Sequence, residues 1–199
     1  MNTVQPIRNR EKLEDLKEEL KKGGLRDYML FYTGLNSGMR VSDVIKLKVD
    51  DVREPNGTMK PYITIIEKKT KKLKRFPLCN GLLNEMEKYT KHMKEGEYLF
   101  KSRKGLNNPI TTTQAYRIIV KASEVVGLKE IGTHTMRKTF GYHHYQQFKD
   151  VALLQEIFNH SSPSITLKYI GINQDNIDLG YKKENFTFFT FYNVVFVRD

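Results

Sequence analysis

A cap, an apolar stripe at helical spacing and a glycine stop recur along this chain, and that punctuation limits its fold more than any other feature. Asn9 stands ahead of Leu13, Leu16 and Leu20, which fall on one face of a helix, and Gly23-Gly24 ends the segment. A more apolar helix follows through Tyr28, Met29, Phe31 and Tyr32 to a turn at residues 34–38, and residues 41–45 begin another. Residues 80–92, 112–126, 134–148, 150–158 and 163–170 read as further helices. Thr111, Thr112 and Thr113 offer caps for the second of these, and Pro163 suits the first turn of the last. Only residues 62–66 and 73–78 look like strands, with a lysine-rich hairpin tip between them. The expected fold is α+β and mainly α-helical, with a small antiparallel β-sheet or hairpin on one side.

A chain of 199 residues fits one ordinary domain with a buried core. Its 34 Lys and Arg against 23 Asp and Glu give a net charge of +11 and a pI near 9.6, which favours a polyanionic partner such as nucleic acid or an anionic membrane surface. Cys79 is the only cysteine, which excludes an internal disulfide and a cysteine-built zinc site and suits a reducing cytoplasm. Residues 1–14 lack the apolar core of a signal peptide, and no stretch nears the roughly 18 consecutive apolar residues that span a bilayer. A cytoplasmic protein with no membrane contact is expected.

The chemistry lies in an ordered set of phosphate-capable side chains that ends in a tyrosine: Arg40, Lys69, His134, Arg137, His160 and Tyr169. Arg40 sits just past the 34–38 turn, where a helix start adds backbone N–H groups to its charge. Lys69 lies in the run Lys68-Lys69-Thr70-Lys71-Lys72-Leu73-Lys74-Arg75, whose clustered cations suit a phosphate backbone. A lysine there can also donate a proton to a leaving oxygen, which an arginine almost never does. The spacing of His134 and Arg137 puts imidazole and guanidinium on one side of a helix. His160 follows an apolar helix, and Tyr169 comes nine residues later, one of 11 tyrosines and ordinary when taken alone.

Together these residues resemble the catalytic domain of the tyrosine recombinases, the phage integrase family, over residues 11–181. Residues 33–44 look like the family's first arginine box, with Asp43 where an acidic supporting residue is usual. Lys69, eight residues before Pro77, matches the hairpin lysine, with Lys68 and Lys71 close competitors. His134 and Arg137 match the H-x-x-R box, and His160 with Tyr169 matches the last box. Two positions depart from the pattern: Lys138 stands where a histidine is often found, and Asn159 replaces a common glycine.

The resemblance implies a site-specific recombinase that cleaves and rejoins double-stranded DNA through a 3′-phosphotyrosine on Tyr169, with no cofactor and no metal. Arg40, Arg137 and His160 would hold the non-bridging oxygens, His134 would handle the phenol proton, and Lys69 would protonate the 5′-hydroxyl leaving group. Lys68, Lys71, Lys72, Lys74, Arg75 and Lys138 are the expected DNA contacts. A homotetramer on paired sites is implied, with a monomer or weak oligomer off DNA, in a bacterial or phage-encoded system that integrates or excises a mobile element. Residues 1–184 form the expected catalytic domain, with no N-terminal core-DNA-binding domain before it. The aromatic, β-prone run 185–199 reads as a tail that docks in a neighbouring protomer or packs in cis. A type IB topoisomerase shares this chemistry, and a non-catalytic DNA-binding protein shares the charge. A metal nuclease built on His143, His144 and His160 is disfavoured, because adjacent helical side chains point about 100° apart.

Overall fold

A computed structural model of the chain describes residues 4–66 and 73–172. Lys68, Lys69, Lys71 and Lys72, and the tail at 185–199, lie outside the described residues. Among the described residues the chain runs α1 (Arg10–Gly23), α2 (Leu25–Ser37), α3 (Val41–Val44), α4 (Val49–Val52), β1 (Tyr62–Ile66), β2 (Leu73–Pro77), α5 (Asn80–Thr90), α6 (Thr112–Val125), α7 (Thr135–Phe148), α8 (Val151–Phe158) and α9 (Pro163–Tyr169). The helical body with one antiparallel pair agrees with the expectation.

The caps work as their chemistry dictates. Asn9 accepts from the Lys12 amide, Thr111 and Gln114 close a reciprocal capping box on α6, and Ser162 caps α9 ahead of Pro163. The short α4 has no apolar stripe to betray it. It is fixed by Asp51, which accepts from the Lys48 amide at 2.8 Å, and by a bridge between Lys48 and Tyr98.

Strands β1 and β2 pair with Ile63 opposite Phe76, and these two buried side chains turn one face of the hairpin onto the core. The main core joins Leu13, Leu16 and Leu20 of α1 with Met29, Leu30 and Phe31 of α2, Leu82 and Met86 of α5, and Ile119 of α6. A smaller cluster of Leu154, Phe158 and Ile170 lies under α8 and α9. Helix α7 joins the two, and glycines let its neighbours come close. A Cβ on Gly34 would lie 2.6 Å from Met136 Sδ, and one on Gly141 would lie 2.7 Å from both Phe158 and Ile170. Gly38 has φ +64, and a Cβ there would meet the Phe140 ring at 2.6 Å.

The core also holds phenols. Burial pushes Tyr28 up to about 12 from the ordinary value near 10, and moves Tyr32 and Tyr89 in the same direction. A folded pKa above the unfolded one means that this stability is fully present below about pH 10 and is lost as pH rises towards 12. The thermal midpoint is therefore expected to fall steeply between pH 10 and 12. Tyr28→Phe should make that slope shallower in scanning calorimetry, and an unchanged slope would contradict the assignment.

Candidate active site

Arg137, in the first turn of α7 and 3% exposed, organises the site. Its Nη1 donates to the Gly38 carbonyl and its Nη2 to the Phe158 carbonyl at 3.0 Å, while its guanidinium lies 4.3 Å from the centre of the Phe158 ring. Gly38 precedes Arg40 by two residues, and Phe158 precedes His160 by two. One rigid fork thus ties together three segments that are far apart in sequence.

Arg40 is half-buried at the N-cap position of α3, directly after the left-handed turn at Gly38. With Arg137 and His134 it lines a cavity of about 390 Å³, to which Ser42, Thr112, Thr113 and Tyr116 contribute as well. Thr112 and Thr113 open α6, and His134 occupies the N-cap position of α7. Two helix starts and two guanidiniums around one cavity make a strongly anion-attracting site. Asp43 is buried in α3, three residues beyond Arg40.

Tyr169 ends α9. Its hydroxyl lies 3.2 Å from His134 Nδ1, and its ring meets Phe158 and His160 edge-on, with centroids 5.5 and 5.1 Å away. Burial raises the phenol pKa, an effect opposed by the charges of Arg137 and Arg40 and by a hydrogen bond from Arg137. His160 is placed by Asn159, which ends α8 in the left-handed conformation at φ 52°. Asparagine tolerates that conformation better than other residues with a side chain, so replacing the usual glycine leaves the turn intact. His160 Nδ1 lies 3.0 Å from Thr166 Oγ1, and that hydroxyl can donate to the Ser162 carbonyl at 3.3 Å. A Thr166 proton given to Ser162 leaves the Thr166 oxygen to accept from a protonated Nδ1, and one given to Nδ1 serves the other tautomer.

Five of the six expected catalytic residues therefore converge: Arg40, His134, Arg137, His160 and Tyr169. Lys69 lies outside the described residues. The expected DNA contacts divide. Lys74 donates to the Ile157 carbonyl at 2.7 Å and the Glu156 carbonyl at 3.3 Å, pinning β2 to the end of α8. The Arg75 guanidinium stacks 4.5 Å over the Tyr62 ring, and Lys138 donates to the Val4 carbonyl at 2.7 Å. His143 contacts the Ile7 carbonyl and His144 packs between Phe140 and Phe148, so these imidazoles serve separate places from His160. Among the described residues no three His, Cys, Asp or Glu side chains gather into a metal-binding group, and no helix is long and apolar enough to cross a membrane. Sequence reading missed Thr166, Phe158 and the α6 threonines with Tyr116. Only the capping box at Thr111 signals the last of these.

Comparison with known proteins gives one consistent result. The family model described as Phage integrase family matches residues 9–175. The probable integrase/recombinase YoeC of Bacillus subtilis is 50% identical over 182 residues, covering 92% of this chain and 97% of that relative. A crystal structure of the XerA recombinase superposes with a TM-score of 0.70 at 20% identity, covering 92% of this chain and 66% of that one. A post-cleavage complex of the XerH site-specific recombinase with a palindromic difH substrate gives a TM-score of 0.68 at 22% identity, covering 88% of this chain and 51% of that one. The chain thus spans nearly all of the Bacillus relative and about half to two thirds of these XerH and XerA structures.

Proposed function

The chain belongs to the phage integrase family, and from that membership we propose that it is a site-specific DNA recombinase acting through Tyr169. The observation that carries this reading is the meeting of Arg40, Arg137 and His134 on one cavity with the Tyr169 hydroxyl 3.2 Å from an imidazole nitrogen.

A scissile phosphate occupies the cavity, with Arg40 and Arg137 on its non-bridging oxygens, where their fixed charges stabilise the pentavalent transition state. The phenol oxygen attacks phosphorus, its proton passes to neutral His134, and the bond to the 5′-oxygen breaks. Lys69 protonates that oxygen. His160 adds a hydrogen bond to the phosphate. The 5′-hydroxyl of a partner strand then attacks the phosphotyrosine and releases the enzyme. The bond energy is conserved throughout, so no ATP is consumed.

Double-stranded DNA is the partner, and the excess of cations attracts it. The working unit is a tetramer on two paired sites in the cytoplasm, serving integration or excision of a mobile element. Residues 1–184 supply the chemistry. The test is to incubate the protein with a pool of nicked duplexes of randomised sequence, in EDTA and without ATP, and to map the covalent adduct by peptide mass spectrometry. An adduct on the peptide containing Tyr169 is expected. Attachment elsewhere, or attachment that needs a divalent metal, overturns the reading.

A further inference from the structure

Residues 4–8 lie across the face of α7 as a strap, pinned at every step. The Gln5 amide donates to the Glu130 carbonyl at 2.9 Å, and the Ile7 amide donates to buried Thr139 Oγ1 at 2.9 Å. His143 Nε2 lies 2.9 Å from the Ile7 carbonyl, and the Ile7 side chain is 2% exposed. Arg8 donates to the Gly171 carbonyl at 3.1 Å, two residues past Tyr169. Gly171 has φ +79, a left-handed backbone that glycine adopts most readily, and a Cβ there would lie 3.3 Å from the Pro6 ring of the strap.

Lys138 connects this strap to the reacting group. Its ammonium donates to the Val4 carbonyl at 2.7 Å and stands 5.2 Å from the centre of the Tyr169 ring. The side chain is half-buried, and that burial, helped by the nearby Arg8 charge, lowers its pKa. An ammonium partly withdrawn from water and aimed at an aromatic face binds that face more strongly than an exposed one does. A lysine serving as a DNA contact would instead extend into solvent with its charge open to phosphate.

We infer that Lys138 is a positioning residue for the nucleophile, joining the strap of residues 4–8 to the Tyr169 ring and holding the phenol in reach of the phosphate. The strap grips the end of α9 and the turn after it, the Tyr169 ring through Lys138 and the Gly171 carbonyl through Arg8. Its seating therefore sets how fast Tyr169 attacks. The inference rests on Tyr169 being the nucleophile.

The experiment compares full-length wild type with Lys138→Met, Lys138→Gln, Lys138→Arg and Tyr169→Phe. It measures single-turnover adduct formation on the nicked pool, DNA affinity and thermal midpoint. Lys138→Met and Lys138→Gln should slow adduct formation about tenfold with affinity held within about twofold, the size of effect a partly desolvated cation–π contact supplies. Lys138→Gln keeps a donor for the Val4 carbonyl and so should keep the wild-type midpoint even if Lys138→Met melts early. Lys138→Arg, which restores the charge over the ring, should recover most of the rate. Wild-type rates in both Lys138→Met and Lys138→Gln overturn the inference, as does a loss of affinity matching the loss of rate, which would mark a phosphate contact. An adduct that persists in Tyr169→Phe overturns the nucleophile assignment itself. Loss of the adduct there, beside wild-type rates in both Lys138→Met and Lys138→Gln, sinks the positioning role alone.

Discussion

Tyr169→Phe is expected to abolish covalent attachment to DNA while leaving DNA affinity and thermal stability close to those of the wild type. Phenylalanine keeps the ring and its edge contacts with Phe158 and His160. What disappears is the hydroxyl 3.2 Å from His134 and the hydrogen bond that reaches it from Arg137. A hydrogen bond of this kind contributes on the order of 1 kcal/mol net. Stability should therefore move by ~1 kcal/mol at most. The chemistry has no such cushion, because no other group takes over the attack. Removal of an enzyme's nucleophile acts on a scale of about 10⁶ in rate, which places any residual adduct below detection on a denaturing gel. A Tyr169→Phe protein that still labels DNA would mean that another side chain is the nucleophile.

How much of this site could be read beforehand depended on whether each residue acts through its own chemistry or through its surroundings. Caps and stripes are local, so α1 and α6 to α9 were legible to within two residues at either end. Residues 49–52 carry no periodic signal and form α4 only because Asp51 and the Lys48–Tyr98 bridge hold them. The converging residues were legible because phosphate chemistry needs those types in that order. Their supports were not, since they act through main-chain atoms and shape. Nothing in the sequence says that Arg137 would bond the carbonyls of Gly38 and Phe158, or that Thr166 would orient His160. Gly141 matters only because Phe158 and Ile170 press on it. Lys138 and Lys74 add a partner the sequence did not suggest: their charge points to DNA, and in the fold both ammoniums also meet backbone carbonyls.

Arg137→Lys should cost both rate and stability, even though the charge is conserved. A lysine ammonium is a point donor on a flexible stem and cannot bridge the Gly38 and Phe158 carbonyls as a planar fork does; nor can it lie flat on the Phe158 ring. Each buried carbonyl left without its donor costs about 1–3 kcal/mol, and a marginally stable domain feels that as a clear drop in thermal midpoint. The loss in rate should be larger. An arginine that stabilises charge in a phosphoryl-transfer transition state is worth about 10³ to 10⁵ in rate, and this one also fixes the carbonyl anchors beside Arg40 and His160. Its replacement loosens both neighbours together, so single-turnover cleavage should fall by ~10³ or more with DNA affinity reduced far less. Arg40→Lys makes the informative control. Arg40 is half-buried and lines the same cavity, so its replacement should slow cleavage with a smaller drop in midpoint. If Arg137→Lys cleaves within tenfold of the wild type, the guanidinium is a structural tie only, and the phosphate must be held by Arg40 and the helix starts.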